Sequence, residues 1–288
     1  MNYIILDLEW DGAFYPKIGR FINQILQIGA VMLNEKFEII DTFEQTVRSS
    51  FSNRVSKRFA ELTGITKEKM LSGVSLDTAF TEYNNWVGND TVTMTWSNSD
   101  IYTLIDNQNN ITDQKLKIEK YLDLQKYVQD EMRSRGIEVS SQISLLNAAN
   151  QLNISIDESV LHNAKYDSIA CAALFKECYN SERFNSMVIN ASDPDFLSRY
   201  TFKPHFITDI NDPAIDRSVF DFKCETCGSP LKLKGEWRAR NCAFYADMLC
   251  TECRIKYFTR VRIRKLYDSV KVHRKLYIKR KKEQKNDM

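Results

Sequence analysis

The chain has 288 residues, 43% of them hydrophobic and 27% charged, with 40 Lys+Arg against 38 Asp+Glu for a net charge of +2. That balance fits a globular protein with room for one large domain or a domain plus a small module. No apolar run reaches the roughly 18–20 residues of a membrane span, and MNYIILDLEWDG lacks the basic leader of a secretory signal, so a cytoplasmic location with no membrane partner is expected.

YIILDLEW reads as a buried strand, and QILQIGAVML and FEIIDTFEQTV as two more, split by the turn-like NEK. Three strands in succession predict an antiparallel meander that opens a mixed sheet. VSKRFAELTGI reads as a helix stopped at Gly64, and SLDTAFTEYNNWVG as an amphipathic helix with Leu76, Phe80, Tyr83 and Val87 on one stripe. DTVTMTW alternates as a strand, KYLDLQKYV enters a helix through a short strand, and SLLNAANQL and SIACAALFKECY close the domain as helices. The order predicts an α/β fold, a mixed sheet flanked by helices.

Three places on these elements carry chemistry. Asp7 and Glu9 sit two apart on the first strand and so share a face, where paired carboxylates are costly unless a cation neutralises them. Hard oxygen ligands suit Mg²⁺ or Mn²⁺, although a solvated sheet face would also explain two acids. Asp100 follows the strand ending at Thr95-Trp96, where a helix-cap acid is equally at home. In LHNAKYDSIACAALF, His162 lies on a loop and Asp167 in the first turn of a helix, with the small Ala164 between them allowing close packing.

Together, DLE, WSNSDIYTL and HNAKYD, in that order, resemble the three motifs of the DEDDh-type 3′–5′ exonucleases, a family with a ribonuclease H-like fold. The resemblance covers roughly residues 1–180 and extends to QILQIGAV and LTGIT. It implies that Asp7, Glu9, Asp100 and Asp167 hold two divalent ions, Mg²⁺ or Mn²⁺. It makes His162 the general base for an attacking water, a common role for an imidazole at neutral pH. Leu62 and Thr63 fall where family members touch the terminal nucleotide. The implied reaction releases nucleoside 5′-monophosphates from single-stranded RNA or DNA 3′ ends. The alternative is a binding or regulatory protein of the same fold with little turnover, of the type that inhibits sporulation-kinase activation.

Beyond the exonuclease-like region, taken as 1–183, Asp-Pro and Lys-Pro steps punctuate residues 184–219, which read as a linker. Five of the seven cysteines then lie between Cys224 and Cys253. Cys224-x₂-Cys227 and Cys250-x₂-Cys253 resemble a zinc ribbon over 220–262, a small β-fold around one structural Zn²⁺, while Cys242 reads as mid-strand and outside the site. Cys171 and Cys178 read as small apolar residues of a helix. In the ribbon Trp237, Phe244, Tyr245, Tyr257 and Phe258 interleave with Arg238, Arg240, Lys256 and Arg260. That pattern suits stacking of bases and neutralisation of phosphates, or a ribbon core with a solvated edge. The ribbon could equally serve a protein partner. Residues 254–288 hold 14 Lys+Arg against 3 Asp+Glu, leaving 26 against 35 in the rest. The tail from 263 reads as basic and helical, either a phosphate-tracking arm, a segment packed on the ribbon or a solubilising extension.

Overall fold

The computed structural model describes residues 1–139 and 142–279 and divides into two units, Met1–Thr201 and the segment from Phe202 onward. In the first unit β1 (Asn2–Tyr15), β2 (Arg20–Leu33) and β3 (Ile39–Thr46) form the expected meander. Helices α1 (Lys57–Thr63), α2 (Lys67–Ser72) and α3 (Leu76–Val87) follow, each N-capped by a hydroxyl, from Ser56, Thr66 and Ser75. Gly64 ends α1 in the left-handed conformation, the stop read from LTGI. β4 (Thr91–Thr95) leads into α4 (Ser99–Asn110), and β5 (Lys120–Asp123) into α5 (Leu124–Ser134). α6 (Leu145–Gln151) and α7 (Ala164–Cys178) close the expected elements.

The sheet order is β3-β2-β1-β4-β5, with β1, β4 and β5 parallel to one another, and a sixth strand lies beyond β5. Alternate residues of β1 face opposite ways, and both faces are covered, which is why YIIL reads as an unbroken apolar run. Tyr3 and Ile5 pack with Tyr127 of α5 and Phe175 of α7, whereas Ile4, Leu6 and Leu8 pack with Phe80 and Tyr83 of α3 and Leu104 of α4. Cys171 and Cys178 are buried in the first of these clusters, as small apolar residues should be.

The linker expected over 184–219 is instead structured at both ends. α8 (Ser181–Met187), the short strand β6 (Ile189–Asn190), which pairs antiparallel with β5, and α9 (Pro194–Thr201) complete the first unit. Phe196 and Tyr200 of α9 set their rings against Tyr121. The Asp193-Pro194 step is thus a helix start rather than a linker mark. Proline occupies the first helical position, where its missing N–H costs nothing, and the Asp193 carboxylate accepts from Asp195 N at 2.9 Å.

The second unit is a five-stranded antiparallel sheet. β7 (His205–Phe206) pairs with β10 (Lys256–Lys265), which lies between β9 (Ala243–Leu249) and β11 (Val270–Ile278), and β8 (Lys232–Arg240) lies beyond β9. Ile207 and Ile215, from the segment read as linker, belong to its core with Phe244, Tyr257 and Val261. Two further expectations are corrected here. The tail is a hairpin arm, not a helix, over its described part; residues 280–288 lie outside the described residues. TRVRIRK and VKVHRKL alternate with a period of two, and pairing from Tyr257↔Ile278 to Lys265↔Val270 satisfies their backbone. Cys242 is exposed in the β8–β9 turn rather than mid-strand, and Asn241 and Cys242 take φ of 48° and 54°, as a two-residue hairpin turn requires.

Candidate active site

The site grows from one row across the meander. Asp7 on β1 stands opposite Gly29 on β2, which stands opposite Glu44 on β3. The middle of that row has no side chain, and the start of α7 fills the space. A Cβ placed on Gly29 would lie 2.2 Å from the Ala164 carbonyl carbon and the Lys165 nitrogen, and 2.7 Å from the Ala164 Cβ. Glycine inside this strand therefore marks a close backbone approach. Ala164 is the other half of the contact, as its small size suggested.

Hydrogen bonds hold α7 in that slot. A helix start leaves its first N–H groups without intrahelical partners. Here Gln27 Oε1 accepts from Ala164 N at 3.2 Å, and Asn163 Oδ1 accepts from Lys165 N at 3.2 Å and from Tyr166 N at 3.3 Å. Glu44 draws the same groups together, accepting from Gln27 Nε2 and Asn163 Nδ2, each at 3.1 Å, and from Lys165 Nζ at 2.5 Å. Ser168 Oγ donates to Ala164 O at 2.8 Å. Sequence reasoning passed over Gln27, Gly29, Glu44 and Asn163. The one available signal was the glycine of QIGAV inside an otherwise apolar strand.

So placed, α7 brings Asp167 to the first strand. Carboxylate oxygens of Asp7, Glu9 and Asp167 lie within 4.8 Å of one another. Asp100 arrives from α4. β4 pairs with β1 only as far as Ile5↔Met94, so the Leu8 N–H is left without a strand partner and donates to Asp100 Oδ1 at 3.2 Å. Asp100 is buried, Asp7, Glu9 and Asp167 are half-buried, and His162 is exposed. His162 has φ 65°, one of the less costly residue types in the left-handed region, just before the cap of α7.

The electrostatics are those of carboxylates crowded together and partly buried. Burial, then the charges of Asp100, Asp167 and Glu9, push the Asp7 carboxyl well above the usual range. Burial and the neighbouring Asp167 and Asp100 push Glu9 up to about 8. Asp100 is raised by burial against the pull of the Leu8 N–H. Asp167 is raised to about 6 by burial, held down by the His162 charge and backbone N–H. Asp167 Oδ1 is buried with no hydrogen-bond partner. An orphaned carboxylate oxygen among acids that repel one another fits a divalent cation bound by oxygen ligands.

Leu62 and Thr63 end α1, whose start is tied to β1 where Asp11 Oδ2 accepts from Ser56 N at 2.6 Å, two residues beyond Glu9. Leu62 is exposed, and the Thr63 hydroxyl donates to Phe59 O at 2.9 Å.

In the second unit one Sγ from each of Cys224, Cys227, Cys250 and Cys253 lies within the same 4.8 Å limit, with Cys227 and Cys250 sulfurs 3.5 Å apart. Tetrahedral Zn–S bonds of about 2.3 Å place sulfurs roughly 3.8 Å apart, so the cluster fits a zinc ion. Gly228, at φ 73°, turns the first knuckle back, its N–H donating to Cys224 O at 2.9 Å. The Tyr257 hydroxyl, 3.2 Å from Cys224 Sγ, pulls that thiol down, while Cys227 pushes Cys253 up. Four thiols so crowded cannot all ionise without a cation.

The family model RNase_T, described as Exonuclease, matches residues 4–175, a stretch that contains all five residues of the acid and histidine set. No curated protein matches the chain. Among solved structures, the cell-death related nuclease 4 (CRN-4) is 18% identical with a TM-score of 0.50, over 61% of this chain and 62% of that one. The nuclease domain of 3′hExo, a DEDDh family member solved with rAMP, is 21% identical with a TM-score of 0.52, over 61% and 90%. A 3′-exonuclease solved in recognition of a histone mRNA stem-loop is 20% identical with a TM-score of 0.53, over 61% and 80%. The chain spans about three fifths of the length of CRN-4 and of a full-length 3′-exonuclease that it also matches. At these identities the likeness is one of fold, a ribonuclease H-like mixed sheet between helices. Among the described residues no helix is long and apolar enough to cross a membrane.

Proposed function

Because the chain belongs to the exonuclease family, we propose that this nuclease is a divalent-metal-dependent 3′–5′ exonuclease acting on single-stranded RNA or DNA. The observation that carries the reading is the meeting of Asp7, Glu9 and Asp167 oxygens within 4.8 Å around an unpartnered buried oxygen of Asp167. Asp7, Glu9 and Asp167 would hold one Mg²⁺ or Mn²⁺, and Asp100 with Asp7 a second. Bound there, a pair of such ions supplies charge neutralisation at the scissile phosphate and a more acidic water.

The chain's own groups do the rest. The exposed His162 imidazole, beside Asp167, accepts a proton from the attacking water. The water oxygen bonds to phosphorus as the bond to the 3′ oxygen of the preceding nucleotide breaks. That oxygen takes up a proton, and a nucleoside 5′-monophosphate leaves. Leu62, apolar and exposed at the end of α1, offers its side chain to the terminal base or sugar, with Thr63 beside it. The four cysteines hold a structural Zn²⁺.

The test is degradation of 3′-labelled single-stranded RNA and DNA of one sequence with Mg²⁺ or Mn²⁺ and identification of the product. Mononucleotide 5′-phosphates from wild type, with turnover lost in Asp7→Asn and His162→Ala, support the reading. Intact oligonucleotides under all these conditions refute it and leave a binding or regulatory protein of the same fold.

A further inference from the structure

Strand pairing in the second unit sorts side chains between two faces, and the sort separates the residues that the sequence interleaves. Trp237, Phe244 and Tyr257 go to the core, with Phe220 against Trp237 and Phe244. Tyr245 and Phe258 go to the opposite face, their rings stacked at 5.6 Å and 21°. Beside them Arg238, Arg240 and Asn241 line an open groove of about 430 Å³ with the same two rings.

The paired positions of this outer face are dominated by cations. Arg238 stands opposite Tyr245, and Arg260 stands between Tyr245 and Lys275. Further along, Arg264 stands opposite Lys271. Asp247 is the one acid at these paired positions, with Lys279 at 2.6 Å and Arg238 at 3.9 Å. Like charges placed directly across strands destabilise a sheet. The Arg260–Lys275 and Arg264–Lys271 oppositions are therefore a standing cost that an extended polyanion would remove.

We infer that this face of the second unit is a binding surface for a single-stranded polynucleotide, with bases stacking on the Tyr245–Phe258 pair and phosphates tracking the arginines and lysines of β8, β10 and β11. Sugar-phosphate charge suits the cationic rows, and flat apolar rings suit unpaired bases. An anionic lipid surface would be served by the charge but not by the ring pair set in a groove. The surface deepens the proposed nuclease reading by giving the substrate strand a second hold, in the second unit, but its chemistry does not depend on that reading.

The test uses the full chain carrying Asp7→Asn, so that the probe survives, and fluorescence anisotropy of 20-nucleotide single-stranded RNA and DNA across a salt series. Replacing Arg238, Arg240, Lys271 and Lys275 by Gln should weaken binding at least tenfold. It should also reduce the slope of log K against log salt by about 3, from roughly 0.7 per phosphate contact. Thermal stability without nucleic acid should hold or rise, because opposed charges are removed. Tyr245→Leu with Phe258→Leu keeps the face apolar and should weaken binding about 5- to 100-fold with the salt slope unchanged. On an otherwise wild-type chain, neither set should slow hydrolysis of a dinucleotide, a substrate too short to need a second hold. Unchanged affinity in both sets, or phosphatidylserine vesicles bound while the oligonucleotides are not, overturns the inference. If wild type hydrolyses nothing yet the face variants lose oligonucleotide binding, the surface stands and the nuclease reading alone falls.

Discussion

Gly29→Ala tests whether the slot in the sheet builds the site. The added methyl would sit 2.2 Å from two backbone atoms of α7, about 1.2 Å short of ordinary contact. Backbone on both sides cannot swing aside as a side chain can, so the start of α7 must move off β2 by about that distance. His162 and Asp167 flank the contact and move with it. Displacements near 1 Å in a catalytic constellation cost roughly 100-fold in rate. Overpacking of this kind costs about 1–3 kcal/mol, or roughly 2–12 °C in a unit of this size. The assay is steady-state hydrolysis of a 3′-labelled oligonucleotide beside a thermal melt. kcat is expected to fall about 100-fold with a smaller change in KM. Ala164→Gly in the same chain relieves only the 2.7 Å contact and should not restore activity. A Gly29→Ala protein with wild-type kcat and melting temperature would refute the reasoning, as would full rescue by Ala164→Gly.

Four further outcomes are expected. Gln27→Leu removes the acceptor of the Ala164 N–H, and leaving that buried donor unpaired should cost about 1–3 kcal/mol in a denaturant melt and lower kcat. In Mg²⁺-free buffer the carboxyls of Asp167 and Glu9, raised to about 6 and about 8, make the fold most stable when protonated. Stability should therefore fall as pH rises from 5 to 8, and added Mg²⁺ should raise the melting temperature more at pH 8 than at pH 5; the opposite trend would remove the cation argument. Asp7→Asn should weaken Mn²⁺ binding by calorimetry as well as turnover, whereas His162→Ala should spare binding and abolish turnover. Cys250→Ser should lose one zinc per chain by elemental analysis and open the segment between Cys224 and Lys265 to limited proteolysis.

Part of this molecule is legible from local pattern. The apolar runs of β1 and β2, the amphipathic stripe of α3, the Gly64 stop and the double C-x₂-C spacing each rest on interactions between near neighbours, and each lies where the pattern puts it. Asp7 and Glu9 share a face because strand side chains alternate, a fact of backbone geometry that needs no partner strand. Local pattern misled where one cue serves two structures. Asp193-Pro194 can mark a linker or start a helix, and only burial of Phe196 and Tyr200 under Tyr121 selects the helix. The basic tail reads as helical while its apolar residues are taken one at a time, but pairing with β10 turns the same residues into a strand.

What the sequence by itself determined is the inventory of candidates, the carboxylates, the histidine and the thiols, together with most of the strands and helices that carry them. The tertiary structure decided how they meet, because juxtaposition depends on register between segments far apart in the chain. Gly29 lies between Asp7 and Glu44 only once three strands are paired, and Asp167 reaches Glu9 only because α7 descends into the gap that glycine leaves. In the same way, Tyr245 and Phe258 separate from Trp237 and Phe244 only when antiparallel pairing gives each strand an inner and an outer side.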